Sequence, residues 1–260
     1  MIHLKWFSWF GGTLAMAAAC VFTALAWSAP APEDKSKLDG EIAAEPVKAT
    51  EEEAAEYLKR SQDNLKMIAI SFHNYADTTN GQLPADITDK DGKALLGWRV
   101  LILPYLEQDE LFKKFKLDEP WDSKNNRDLV EKIPEVYSSP RVVVKKKGYT
   151  VYQGFAGPGA LFQSGKKLRF PASIADGTSN TILAVESSMA VPWTKPADLP
   201  FDEKKDLPDF GKAYHAKPLA AMCDGSVRTL NLKKIKPETM KAAITVAGGE
   251  VLGADWEEEP

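Results

Sequence analysis

The chain has 260 residues, 44% of them hydrophobic and 27% charged, which is the composition of an ordinary globular protein with one large or two small domains. Its formal net charge of −4 argues against nucleic-acid binding, because proteins that bind nucleic acids carry an excess of positive charge. With three histidines and two cysteines, and no Cys-x-x-Cys or His-Glu-x-x-His spacing, the sequence predicts neither a zinc site nor a cofactor.

The N-terminal segment predicts export. Residues 6–26 are uncharged and mostly apolar and follow a short segment that holds Lys5, the layout of a secretory signal. Cleavage before Trp27 or Ala29 would release a periplasmic or secreted protein. The uncleaved segment is also long enough to cross a bilayer of about 30 Å as a helix, which would anchor the protein in the inner membrane. Both alternatives stay open.

A change in composition separates this segment from a folded domain. Residues 29–49 are rich in Ala, Pro and charged side chains, which is typical of a flexible linker. Thr50 and Glu53 then match a capping box, in which each side chain accepts the other's backbone N–H at the start of a helix. The sequence therefore divides into a signal peptide or anchor (1–28), a linker (29–49) and one α+β domain (50–255).

The first helix of this domain is predicted to be long and amphipathic. Its apolar residues recur at intervals of seven, three, four and three positions, which places them on one face; they are Leu58, Leu65, Ile68, Phe72 and Tyr75. Asn80-Gly81 ends the helix, and Pro84 prevents it from resuming. His73 lies near the edge of the apolar face, which predicts a partly buried histidine bonded to a neighbouring group.

The rest of the domain changes from short helices to strands. Short helices are predicted at 97–107 and 126–132. Runs of β-branched and aromatic residues predict strands at 142–144, 149–155 and 181–185. Helices followed by strands indicate an α+β fold with an antiparallel sheet of four or more strands.

The C-terminal part predicts a hairpin and a last helix. Asp224-Gly225 lies between two apolar runs and indicates a hairpin over residues 219–230 with a two-residue type I′ turn. A helix opens at Pro237 and is predicted to end at Gly248-Gly249.

Four stretches in the same order resemble one protein family. They are residues 64–75, 98–108, 176–181 and 215–227. The chain resembles the planctomycete-type proteins of unknown function that carry a prepilin-type N-terminus and a C-terminal His-x9-Asp-Gly motif. The resemblance implies a pilin-like fold, with a long N-terminal helix packed on an antiparallel sheet and extra short helices, an envelope setting, and no established activity. The family-motif positions in this chain are His73, Asn74, Asp176, Gly177, Asn180, His215, Asp224 and Gly225.

The chain also departs from the family pattern. Residues 6–27 lack the Phe-Thr-Leu-Ile-Glu sequence of a prepilin leader, so polymerisation into a filament is not implied. Many family members have cysteines where this chain has Ser61 and Ser139. Eight residues, not nine, separate His215 from Asp224, which would alter the bend or the register before the hairpin.

The motif residues offer two candidate chemical sites. Asp176 and Asn180 could supply oxygen ligands to a calcium ion, or they could form an Asx-type turn before a strand. His215 with Asp224 could form an orienting pair for general-base catalysis, or His215 could end a loop while Asp224 forms the turn. The sequence contains no Gly-x-Ser-x-Gly nucleophile elbow.

Two functions follow from these patterns. The first is an exported, non-catalytic pilin-like or pseudopilin-like envelope protein that contacts other envelope proteins or itself, with a possible membrane tether through residues 6–26. The alternative is an envelope ligand-binding protein or hydrolase that uses the loops around Asp176 and His215. A single pocket containing His73, His215 and Asp176 would favour the alternative.

Overall fold

The computed structural model describes residues 40–163 and 165–256. The predicted signal or anchor (1–28) and the first part of the predicted linker (29–39) lie outside the described residues. Within the described part, no helix combines the length and the apolar character that crossing a membrane requires.

The described residues form a mixed α+β domain with an antiparallel sheet. The strands are β1 (Ile42–Ala43), β2 (Glu45–Pro46), β3 (Ile87–Thr88), β4 (Ala94–Leu96), β5 (Val142–Val143), β6 (Tyr149–Gln153), β7 (Phe155–Ala156), β8 (Ile182–Pro192), β9 (Leu199–Pro200), β10 (Leu219–Met222) and β11 (Val227–Thr229). The α-helices are α1 (Glu51–Thr78), α2 (Trp98–Leu101), α3 (Asp109–Phe112) and α4 (Pro237–Ala242). Short 3-10 helices occupy Leu103–Leu106, Arg127–Lys132, Glu135–Tyr137, Lys212–Tyr214 and Ala254–Trp256.

Helix α1 begins at the predicted capping box. The Thr50 hydroxyl accepts the Glu53 N–H at 3.3 Å, and the Glu53 carboxylate accepts the Thr50 N–H at 2.8 Å. After Thr78, Asn80 and Gly81 have positive φ angles of 56° and 81°, and the Gly81 N–H donates to the Ala76 carbonyl at 2.7 Å. The predicted start and end of this helix are both confirmed.

The central strand of the main sheet is β8. Its residue Val185 pairs with Gln153 of β6 and with Ala220 of β10, so these two strands flank it. Strand β1 pairs with β8 farther along, and β11 pairs with β10 at the sheet edge. All these pairs are antiparallel, as predicted.

Both faces of the sheet are covered. Leu219 and Ala221 of β10 belong to the core that contains the buried α1 residues Leu65, Ile68 and Phe72. The alternate β10 residues Ala220 and Met222 belong to a second core with Met240 and Trp256. Because side chains alternate along a strand, the sheet separates these two cores, with α1 on one side and the C-terminal elements on the other.

The ordered domain extends back into the predicted linker. Ile42 of β1 pairs with Ala190, and Glu45 of β2 pairs with Val143. Between them, Ala44 is buried and its N–H donates to the Ser188 carbonyl at 2.9 Å. The sequence assigned these residues to the linker because their average composition is polar. Ala44 is part of the core and Ile42 packs against it, so these two apolar residues are sufficient to hold the segment on the edge of β8.

The turn between β10 and β11 differs from the predicted type. Met222 N–H donates to the Ser226 carbonyl, so the loop contains three residues, 223–225, rather than two. Only Gly225 of the Asp224-Gly225 pair has a positive φ, at 89°, whereas a type I′ turn requires two such residues. The Asp224 carboxylate accepts both the Ser226 N–H and the Ser226 hydroxyl, which stabilises the longer loop.

The predicted end of the last helix was also wrong. Helix α4 ends at Ala242, six residues before Gly248. The Ala243 carbonyl accepts the Ile182 N–H at 2.8 Å, and Val246 N–H donates to the Gly159 carbonyl at 3.0 Å. These bonds to distant segments replace the hydrogen bonds that would continue the helix.

Candidate functional site

His73 links helix α1 to the β10–β11 turn. Because a carbonyl can only accept, the His73 Nε2–H donates to the Cys223 carbonyl, at 2.8 Å. The imidazole ring also packs against the Phe170 ring with a centroid separation of 4.7 Å. The predicted bonded, partly buried state of His73 is confirmed. Its neighbour Asn74 is exposed.

The β10–β11 turn is bonded to a second motif segment. The Asp224 N–H donates to the Thr178 carbonyl at 3.0 Å, and the Cys223 N–H donates to the Thr181 carbonyl at 2.8 Å. We call His73, residues 176–181 and residues 223–225 the turn cluster. It brings together three of the four stretches that carried the family resemblance.

Asp176 fixes the C-terminal segment to this cluster. Its Oδ2 accepts the Gly248 N–H at 2.8 Å, and its Oδ1 accepts the Gly249 N–H at 2.9 Å. Asn180 donates its side-chain N–H to the Asp176 carbonyl at 2.9 Å, and Gly177 has a positive φ of 98°. Both carboxylate oxygens of Asp176 therefore bond to backbone amides. Among the described residues, no group of three His, Cys, Asp or Glu side chains is placed to hold a metal ion.

His215 lies away from the turn cluster. His215 lies before β10 and Asp224 lies after β10. This strand of four residues, about 13 Å long, separates the two residues. His215 is exposed, has a φ of 51°, and lines a cavity of about 480 Å³ together with Leu58, Arg141 and Tyr214. This arrangement contradicts the His215–Asp224 general-base pair, and the cavity contains neither His73 nor Asp176.

A buried polar network around Glu186 was not predicted from the sequence. Glu186 is fully buried in β8, and its Oε1 accepts the Ser61 hydroxyl at 2.6 Å and the Ser139 hydroxyl at 3.1 Å. Its Oε2 accepts the Leu219 N–H at 2.9 Å and pairs with the Arg141 guanidinium. Burial raises the pKa of Glu186, and the Arg141 charge opposes this shift.

The network also includes a tyrosine. The Tyr152 hydroxyl lies 2.6 Å from the Ser61 hydroxyl, and burial and the Glu186 charge raise the pKa of Tyr152, which keeps it protonated. Ser61, Tyr152 and Glu186 are fully buried, so this part of the network joins α1, β6 and β8, whereas Arg141 also lines the cavity beside His215. The sequence signal for it was Glu186, an acidic residue in a strand whose other residues are uncharged.

A second unpredicted network surrounds Arg99. The fully buried Arg99 guanidinium bonds Asp198 at 2.6 Å and donates to the Tyr152 carbonyl at 2.9 Å. Asp198 also accepts the Trp98 indole N–H at 3.0 Å. Asp86, beside this pair, accepts the Trp98 backbone N–H at 3.1 Å. Burial and the nearby Asp198 charge raise the pKa of Asp86 to about 7.

Comparison with known proteins places the chain in a family. A family model, SBP_bac_10, described as Protein of unknown function (DUF1559), matches residues 59–205, more than half of the chain. The chain belongs to the DUF1559 family. The matched part of this DUF1559 protein contains α1 from residue 59 onward, residues 176–181 of the turn cluster and the side chains of the Glu186 network, but not its Leu219 N–H. No curated protein and no solved structure matches the chain.

Proposed function

We propose that this DUF1559 protein is an exported, non-catalytic pilin-like or pseudopilin-like module of the cell envelope that acts through contacts with other envelope proteins or with itself. The apolar segment at 6–26 supports export. The packing of α1 against an antiparallel sheet supports the pilin-like description. The family resemblance supports the envelope setting.

One observation carries the non-catalytic part of the proposal. The polar groups of the turn cluster bond to the protein's own backbone: His73 to Cys223, and Asp176 to Gly248 and Gly249. These bonds join three chain segments, and they occupy the His73 Nε2 and both carboxylate oxygens of Asp176. The motif positions in this cluster therefore support a stabilising role.

The alternative function, an envelope ligand-binding protein or hydrolase, would be supported by a cavity that His73, His215 and Asp176 share, and His215 lies in a cavity without the other two. An enzyme or binding protein built on the Asp176 and His215 loops needs these residues to share a cavity. The cavity lined by His215 is bounded by the N-terminal half of α1 and by residues 46–49, whereas Asp176 bonds to residues 248 and 249.

Cell fractionation of the native host tests the proposal. The experiment determines the N-terminus of the mature protein in the cytoplasmic, membrane and periplasmic fractions. A start at residue 27 or 29 in the periplasm or medium supports a secreted module, and an intact N-terminus in the inner membrane supports an anchored one. A protein that begins at Met1 and stays in the cytoplasm would contradict export.

A further inference from the structure

A second cavity lies between the β3–β4 hairpin and the segment that follows β7. Its volume is about 410 Å³, which is within the range of small-molecule sites. Ala85, Asp86 and Ala94 line one side, and Ala156 and Phe162 line the other. The alanines and Phe162 would contact the apolar part of a ligand, and Thr88 and Gln163 add two uncharged polar side chains to the lining.

The buried charges beside this cavity do not balance. Asp198 and Arg99 form an ion pair whose side chains are 2% and 0% exposed. Asp198 accepts two further hydrogen bonds, from the Trp98 indole at 3.0 Å and the Gly154 N–H at 2.8 Å. Since the Arg99 charge is matched by Asp198, the Asp86 carboxylate is a surplus negative charge when it is ionised.

Asp86 is the member of this group that lines the cavity. Its Oδ1 accepts the Trp98 backbone N–H, which orients the carboxyl group and leaves it bordering the open volume. Burial and the Asp198 charge raise the pKa of Asp86, and the Arg99 charge, which is already paired with Asp198, opposes this shift only in part. A cation that entered the cavity would stabilise the ionised carboxylate.

The surroundings favour an organic cation over a metal ion. A protein-bound calcium ion takes six to eight oxygen ligands, and the described residues provide no cluster of three acidic, histidine or cysteine side chains. A protonated amine needs only one carboxylate, and an attached apolar group would fit the alanine and phenylalanine walls. Lys166 and Lys167 lie on the rim with exposed side chains.

We propose that this cavity binds a small organic molecule through a protonated amine, which pairs with the Asp86 carboxylate while the apolar part of the molecule contacts Phe162 and Ala94. The site is independent of the turn cluster and of the proposed envelope function, so either proposal can fail without the other.

Calorimetric titration of the full chain in mild detergent tests this site, with benzylamine as the probe. The titration is done at pH 8, where the Asp86 carboxyl group and the benzylamine amine are both ionised. We expect benzylamine to bind at least tenfold more tightly than benzyl alcohol, which has the same ring and no charge. Asp86→Asn keeps an acceptor for the Trp98 N–H and should weaken benzylamine binding at least tenfold. The matched control is Asp91→Asn, which removes an exposed carboxylate from the same hairpin and should leave binding unchanged.

A second variant tests the cavity without changing its charge. Ala94 is exposed, so Ala94→Phe should fill the cavity without disturbing the core and should also weaken binding at least tenfold. Equal binding of benzylamine and benzyl alcohol, or unchanged binding in both variants, would overturn the proposal. The proposal would also be overturned if benzylamine bound only to the double variant Lys166→Ala, Lys167→Ala and not to the unmodified protein. In that case a rim lysine would be the partner of Asp86.

Discussion

The hydroxyl oxygens of Ser61 and Ser139 lie 3.3 Å apart, although 78 residues separate them in the sequence. The family resemblance places cysteines at these two positions in many members. The structure thus brings together two residues that the resemblance alone had related, and both hydroxyls donate to Glu186. In this chain, hydrogen bonds to a buried carboxylate join α1 to the segment before β5.

We predict that the double variant Ser61→Cys, Ser139→Cys forms a disulfide. The short separation of the side chains fits disulfide geometry with a small local shift. The oxidised variant should be more stable than its reduced form by about 2–4 kcal/mol, measured by urea unfolding with and without reductant. Mass spectrometry under non-reducing conditions identifies the bond. The single variant Ser61→Cys is the control and should show no such bond; free thiols at both positions after oxidation would contradict the prediction.

Replacing Glu186 should destabilise the domain according to how many partners are lost. Glu186→Ala leaves Arg141 and the Leu219 N–H without their acceptor and should lower the free energy of unfolding by about 3–5 kcal/mol. Glu186→Gln keeps one acceptor oxygen and should cost about 1–3 kcal/mol. Urea unfolding measures both. The exposed Glu131 provides the control, since Glu131→Ala should change stability by less than about 0.5 kcal/mol.

Asp86 should make stability fall as the pH rises. Its folded pKa is about 7 and its ordinary value is 3.8, so between these values the folded state holds a proton that the unfolded state has released. The free energy of unfolding therefore decreases through this window. Asp86→Asn should remove this contribution. Between pH 4 and pH 8, the free energy of unfolding of the variant should therefore fall by at least about 1 kcal/mol less than that of the unmodified protein. Identical pH profiles of Asp86→Asn and the Asp91→Asn control would refute this assignment.

Asp176 should act as a structural acceptor and not as a calcium ligand. Asp176→Ala leaves the Gly248 and Gly249 N–H groups without their acceptor and should cost about 1–3 kcal/mol. Adding calcium or a chelator to the unmodified protein should leave its melting temperature unchanged. A calcium-dependent rise in the melting temperature that disappears in Asp176→Ala would establish the calcium site instead.

Local patterns in the sequence were sufficient to predict several elements. The Thr50–Glu53 capping box and the Asn80-Gly81 helix end depend on neighbouring residues only, so the sequence specifies them directly. The length of the β10–β11 loop was not predictable from Asp224-Gly225 alone, because it depends on the Asp224 bonds to Ser226.

The buried networks depend on contacts that sequence spacing does not disclose. Glu186 bonds to Ser61, which is 125 residues away, and Arg99 bonds to Asp198, which is 99 residues away. Asp198 lies in an irregular segment before β9 and carries no local signal. The cavity beside Asp86 results from packing of distant segments, so the sequence indicated the motif residues but not this site.

A comparison of the two motif histidines tests the central claim most directly, since His73 belongs to the turn cluster and His215 does not. His73→Phe preserves the ring contact with Phe170 but leaves the Cys223 carbonyl unpaired, and it should lower the free energy of unfolding by about 1–3 kcal/mol. Asparagine suits the positive φ at the exposed position 215, so His215→Asn should change the free energy of unfolding by less than about 0.5 kcal/mol. Urea unfolding of both variants gives the answer: a stabilising role of the turn cluster predicts a large effect at His73 alone, and a His73→Phe variant as stable as the unmodified protein would contradict it.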